Sequence, residues 1–132
     1  MEPFLGKWEL QKSQGFGELL KQLGVDKKYY EIVDDMKNIV EFSQLQQGQY
    51  KFCSENKLQK TEIEFSLGKE FQENTPDAKI IKSIMTIENG VMKQDQTREG
   101  KKFQTLRMIE NGQMKTVARF GDYECERWYK KL

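Results

Sequence analysis

From about residue 38 onward the chain alternates apolar and polar positions with period two, the repeat of strands with one dry and one wet face. In "TEIEFSL" (61–67), Thr61, Ile63, Phe65 and Leu67 share one face, and Glu62, Glu64 and Ser66 the other. "QYKFCSENKL" places Tyr50, Phe52, Ser54, Asn56 and Leu58 together in the same way. Glycines at 48, 68, 90, 100, 112 and 121 punctuate the run at the spacing of consecutive antiparallel hairpins. "IENGVMK" (87–93) and "IENGQMK" (109–115) are nearly the same heptapeptide. Nothing around them repeats, so they read as one Asn-Gly hairpin signal used twice rather than as a duplicated binding motif.

Residues 13–33, "SQGFGELLKQLGVDKKYYEIV", break the alternation. Phe16, Leu19, Leu20 and Leu23 fall at i, i+3, i+4 and i+7, a helical stripe that Gly24 ends. Asp26 is the expected N-cap of a second short helix carrying Tyr29, Tyr30 and Val33. "GKWELQK" before them reads as a first strand with Trp8 and Leu10 on one face. An open sheet of this many strands would leave long unpaired edges, so closure into a barrel is expected. A large barrel keeps an interior cavity, and the helical hairpin is too short to build its own core. The expectation is an all-β antiparallel barrel, one domain over residues 1–132, capped by a helix-turn-helix lid at about 15–35.

The segment "ECERWYKKL" (124–132) sharpens this picture. As a strand it puts Glu124, Glu126, Trp128 and Lys130 on one face, and Tyr123, Cys125, Arg127 and Tyr129 on the other. Arg127 therefore points to the drier side. In "KKFQTLRMIENG", Arg107 shares a face with Phe103, Thr105 and Ile109, although the opposite face also holds Leu106 and Met108. A buried arginine without a partner costs several kcal/mol. An internal ion pair, an outward orientation, or an anionic group brought by a ligand would each resolve that cost. The other inward positions mix apolar Phe16, Leu20, Val25, Phe52, Leu58 and Ala118 with polar Ser54, Asn56, Gln96 and Thr116. A sealed core avoids such polar atoms, whereas a hydrated cavity tolerates them. An elongated amphiphile with an acidic end fits that lining.

Composition removes several function classes. The 22 Lys plus Arg nearly balance 21 Asp plus Glu, so a net charge of +1 gives no strong attraction to nucleic acid. There is no histidine, which excludes Ser–His and Cys–His nucleophilic catalysis. Cys53 and Cys125 have no metal-ligand spacing, so neither metal nor cofactor is expected. "MEPFLGKWEL" lacks the basic start and apolar core of a signal peptide, and no apolar run is long enough to span a bilayer. The reading is a cytoplasmic monomer with two reduced thiols. Lys21, Lys27 and Lys28, on or just beyond the first lid helix, read either as a transient membrane contact or as a solvated helix face.

Three stretches in this order resemble the fatty-acid-binding proteins of the intracellular lipid-binding protein family, and the likeness covers essentially the whole chain. They are "FLGKWELQKSQGFGELLKQLGV", "KTEIEFSLGKEFQENTPDAKIIKS" (60–83) and the Arg-x-Tyr close in "CERWYKK". The resemblance implies a ten-stranded up-and-down β-barrel, or clam, holding one or two long-chain acyl ligands beneath two helices, and a carrier rather than an enzyme. It implies that Arg127 and Tyr129 contact the ligand carboxylate, and that Arg107 helps, often through water. Phe16, Leu20, Val25, Asp77, Gln96, Ala118 and Cys125 fall where members line the cavity, and Leu58 at the portal gate. A retinoic-acid-type retinoid carrier, or a binder of other amphipathic acids, is the alternative. The chain departs from the pattern at Gly17, where an acidic residue is usual and a helical glycine costs about 1 kcal/mol relative to alanine. It departs also at Tyr29 and Tyr30, at Asn38 in place of a common proline, and at Lys79 in place of a frequent arginine.

Overall fold

The computed structural model describes residues 1–57, 59–74 and 79–132, so Leu58 and Asp77 lie outside the described residues. Ten strands follow one another: β1 (Gly6–Gln14), β2 (Ile39–Gln46), β3 (Gln49–Glu55), β4 (Lys60–Ser66), β5 (Glu70–Asn74), β6 (Ile80–Glu88), β7 (Val91–Arg98), β8 (Lys101–Glu110), β9 (Gln113–Phe120) and β10 (Tyr123–Lys131). They form one sheet in the order β4-β3-β2-β1-β10-β9-β8-β7-β6-β5. Neighbours are antiparallel and consecutive in sequence except where β1 pairs with β10, which wraps the meander into a nearly closed barrel. β4 and β5 stand at the two ends of that order and flank its seam.

The repeated Asn-Gly signals do the work the sequence predicts. Asn89–Gly90 and Asn111–Gly112 all have positive φ, near +52° and +78°, the geometry of a two-residue turn matched to strand twist. The turn between β7 and β8 uses the same conformation with Glu99 at φ +48°, a position no sequence signal marked. Alternation also overreaches at two strand ends. Leu67 lies past the end of β4 and is exposed, and Tyr123, the first residue of β10, is exposed as well.

β1 carries a bulge at Gln11: Leu10 pairs with Tyr129 and Lys12 with Trp128. The extra residue shifts the phase of the strand, so Trp8 is buried near its start while Ser13 pairs with Arg127 near its end. Two apolar clusters fill the ends of the barrel. One gathers Phe4, Trp8, Phe42, Phe65, Met85, Met92, Met114 and Tyr129, with Trp8 Nε1 donating to the Phe4 carbonyl at 2.9 Å. The other gathers Leu19 and Leu23 of the lid with Ile81, Phe103, Ala118 and Cys125 of the wall. Along β10 the inward residues run Cys125, Arg127, Tyr129, so Arg127 sits at the boundary between the two clusters.

The lid is α1 (Phe16–Gln22) and α2 (Lys27–Tyr30). Asp26 caps α2 as the sequence predicts, accepting from the Lys28 N–H at 3.2 Å. The second helix is shorter than expected, because α2 ends at Tyr30 and Val33 opens a separate 3-10 turn (Val33–Asp35). That turn brings Asp34 to the start of α1, where it accepts from the Phe16 N–H at 3.2 Å, the Gly17 N–H at 2.9 Å and the Ser13 hydroxyl. Burial tends to raise the Asp34 pKa, but these hydrogen bonds outweigh it and hold the carboxyl below its ordinary value. Gly17 is buried against α2, and a Cβ there would stand 2.3 Å from the Tyr30 carbonyl oxygen. The missing side chain is what lets the two helices touch.

Candidate functional site

Between the two apolar clusters lies a cavity of about 300 Å³, within the range of small-ligand sites. Phe16, Leu20 and Val25 of the lid line it, together with Phe52, Ser54, Asn56, Gln96, Thr116 and Ala118 of the wall. Arg107, Arg127 and Tyr129 line it too. Cys125 faces inward as its strand parity predicts, but it is packed into the lid-side cluster and is not among the residues bordering the cavity. Burial pushes its thiol up to about 11, so it stays protonated at neutral pH.

The two arginines are set by register. Arg127 on β10 pairs with Thr116 on β9, which pairs in turn with Arg107 on β8. Strands about 4.8 Å apart therefore put the two arginine backbones roughly 10 Å apart with a threonine between them. Arg127 is 7 % exposed and its guanidinium lies 4.2 Å from the centre of the Phe16 ring, so a lid side chain covers it. Its Nη1 and the Thr116 Oγ1 are buried without a hydrogen-bond partner among the described residues.

Arg107 is better supplied. Its Nη1 donates to Gln94 Oε1 at 2.9 Å, and Gln94 Nε2 donates to Ser83 Oγ at 3.1 Å. The guanidinium also lies over Phe42 and Phe52, at 5.6 and 5.2 Å. Burial lowers its pKa from the ordinary value, opposed by Tyr129 and Glu73.

Tyr129 does not stand alone. Its hydroxyl donates to Asn38 Oδ1 at 2.9 Å, and Asn38 is itself buried. Asn38 Nδ2 donates onward to Ser54 Oγ at 3.2 Å and to the Glu55 carbonyl at 3.0 Å. Asn38 is thus the hinge of a small network that joins β10 to β3.

Sequence reasoning missed several polar cavity residues, Asn38, Arg98, Glu73 and Gln94 among them. Asn38 drew notice only as a departure from the family pattern, because the strand it precedes begins at Ile39 and alternation does not reach it. Arg98 is buried and borders the cavity, and carrying the alternation of Met92, Gln94 and Gln96 one step further would have found it. Glu73 shares the face of Phe71 on β5 and adds a carboxylate to the cavity wall. Burial raises the Glu73 pKa above its ordinary 4.5, with Arg107 opposing. Such a carboxyl lowers stability above its folded-state pKa and has no effect below the unfolded value. Glu73→Gln is therefore expected to raise the melting temperature at neutral pH, with the gain fading as the pH is brought below 4.5. Melting curves at the two pH values check this, and a loss at neutral pH would show that the carboxylate is favourably paired.

Against known proteins, residues 5–131 match the model of the Lipocalin / cytosolic fatty-acid binding protein family. The chain belongs to this fatty-acid binding protein family. Fatty acid-binding protein homolog 1 of Echinococcus granulosus is 36 % identical over 132 residues, 100 % of this chain and 99 % of that protein. The crystal structure of Echinococcus granulosus fatty-acid-binding protein 1 superposes with a TM-score of 0.95, at 36 % identity, over 100 % of this chain and 99 % of that one. A Schistosoma mansoni fatty acid binding protein in complex with arachidonic acid superposes at 0.92, with 28 % identity, over 100 % and 98 % of the two chains. Members of the fatty-acid binding protein family are carriers of ligand, not enzymes, and the ten-stranded barrel with two short helices is their architecture. Among the described residues no helix is long and apolar enough to cross a membrane.

Proposed function

We propose that this chain is a non-enzymatic cytosolic carrier of long-chain fatty acids. The carboxylate lodges between Arg127 and Arg107, with Tyr129 in the wall beside them, and the acyl chain runs along Phe16, Leu20, Val25 and Phe52. One observation carries the reading: Arg127 Nη1 and Thr116 Oγ1, adjacent in register, are buried with no acceptor or donor to meet them among the described residues. A guanidinium so placed costs several kcal/mol unless an anion joins it. A carboxylate supplies about four lone-pair sites and matches the guanidinium fork. Phe16 covers Arg127, so the acid must displace a lid side chain to reach it.

Affinity then comes mainly from burial of the chain, at about 0.8 kcal/mol per CH₂ before ordering costs. The fatty acid-binding proteins among its relatives support the ligand class. Free Cys53 and Cys125 are consistent with a reducing compartment. The lid lysines need no membrane role to account for them, since Lys27 pairs with Glu31 one helical turn away and Lys28 lies over the Tyr29 ring.

Displacement of a fluorescent fatty-acid probe tests the anchor. A long-chain acid is expected to displace it at roughly tenfold lower concentration, or better, than the methyl ester of the same acid. Equal potency would rule the arginines out as a carboxylate site.

A further inference from the structure

Thr116 stands between the two arginines, and the side chains paired with it cannot take its proton. Across the sheet it faces Arg107 on β8 and Arg127 on β10. A guanidinium carries N–H donors and no acceptor, so neither arginine can receive the hydroxyl hydrogen. On the same face of β9 its neighbours are Met114 and Ala118, a weak acceptor and none. Thr105, opposite Ala118 on β8, shows the ordinary solution: its hydroxyl donates to Gln96 Oε1 at 2.6 Å. Thr116 has no counterpart to that bond. Its Oγ1 is buried, and meets no hydrogen-bond partner among the described residues, although the residue borders the cavity.

A buried hydroxyl in that position carries a free-energy cost that valine, of the same shape, would not. Arg127 Nη1, on the adjacent strand, is buried and unmatched too. Two donors are thus adjacent in register, and an acceptor with two oxygens completes both.

We infer that Thr116 is a specificity-determining residue that, with Arg127, seats both oxygens of a carboxylate. One oxygen accepts from Arg127 Nη1 and the other from the Thr116 hydroxyl, while Arg107 adds its charge from the opposite side. An ester brings one good acceptor, its carbonyl oxygen, and no charge, so one of the two donors stays unmet. The threonine therefore sorts free acids from neutral lipids of the same chain length. This rests on the carrier reading above and adds to it a residue that reads the headgroup.

Thr116→Val removes the hydroxyl and keeps the shape of the side chain, whereas Thr116→Ser keeps the hydroxyl. Both are compared with the unchanged protein by probe displacement with a long-chain acid and its methyl ester, and by thermal melts without ligand. In Thr116→Val the acid is expected to bind roughly tenfold more weakly, and the ester to stay within about twofold of its original affinity. The melting temperature without ligand is expected to hold or rise, because the unmatched hydroxyl is gone. Thr116→Ser is expected to restore most of the affinity for the acid. Equal weakening of acid and ester would point to a damaged cavity rather than a lost headgroup contact, and would overturn the inference. So would unchanged binding of the acid, no recovery in Thr116→Ser, or a clearly lower melting temperature, which would mean that the hydroxyl is satisfied without ligand. In each of these cases an acid that still outcompetes its ester in the unchanged protein leaves the carrier reading standing. If acid and ester displace the probe equally from the unchanged protein, the arginine anchor itself fails and this inference with it.

Discussion

Arg127→Met is expected to leave the ligand-free protein at least as stable as before while abolishing tight binding of the acid. The two effects have opposite signs because Arg127 is an arginine without a partner for Nη1, set between two apolar clusters. Asp34 is near enough for Arg127 to help lower its pKa, but its oxygens are engaged by Ser13 and the N–H groups of Phe16 and Gly17. Replacing a buried charge by an apolar side chain of similar volume is commonly neutral, or stabilising by about 1–4 kcal/mol. Methionine also keeps a flexible apolar body beneath the Phe16 ring. Removing this guanidinium leaves a bound carboxylate buried with Arg107 alone of the two arginines, at a cost of about 2–5 kcal/mol. That is roughly 30-fold to several thousand-fold in affinity. Thermal melts without ligand and titration with a long-chain acid read the two quantities separately. A clear loss of stability without ligand would mean that Arg127 is already satisfied in the empty cavity, and the anchor would need another basis.

Gly17→Ala is expected to loosen the lid, although alanine is the better helix former by about 1 kcal/mol. The added Cβ would meet the Tyr30 carbonyl oxygen at 2.3 Å, and backbone cannot rotate away as a side-chain tip can. Either α1 tilts off α2 or the chain after α2 moves, and both responses disturb Asp34, whose carboxylate holds Gly17 N–H at 2.9 Å. Overpacking of this kind costs about 1–3 kcal/mol, which exceeds the propensity gain. Phe16 is the neighbour of Gly17 and lies on Arg127, so the same shift should uncover the anchor. The expected result is a lower melting temperature and faster ligand dissociation in stopped-flow transfer to an acceptor. An alanine variant with unchanged stability and off-rate would show that the lid gives way without cost.

The wall of this protein was largely legible in its sequence, and the reason is period two. Ile63, Phe65, Arg107, Arg127 and Tyr129 all face where alternation puts them, because each strand is wet on one side. Alternation fails where geometry beyond a single strand decides. The Gln11 bulge changes the phase of β1 and brings Ser13 level with Arg127, and nothing in "GKWELQK" announces it. Cys125 has the right parity but lies under the lid, a matter of how high on the wall the helix sits. Glu73 and Arg98 follow the rule, yet their strands carry so many polar residues that parity alone gives no dry face to notice. Gly17 reads as a weak point in a helix because its contact with Tyr30 is tertiary. Asn38 meets Tyr129 from the far side of the chain, and such pairings leave no local trace.

β10 has two duties at once, and they bind the protein's assembly to its readiness. It is the strand that joins the meander's halves, with Trp8 opposite Lys131, and it is also the strand that carries Arg127 and Tyr129. Hairpins such as β6–β7 and β8–β9 link near neighbours, whereas the β1–β10 pairing closes the longest loop in the chain and is expected to form late. The contacts of Arg127 with Phe16 and of Tyr129 with Asn38 both span that pairing. A half-assembled sheet therefore has neither the enclosed cavity nor the arrangement of Arg127 and Tyr129 within it. Competence to hold a ligand is expected to arrive with that pairing rather than hairpin by hairpin.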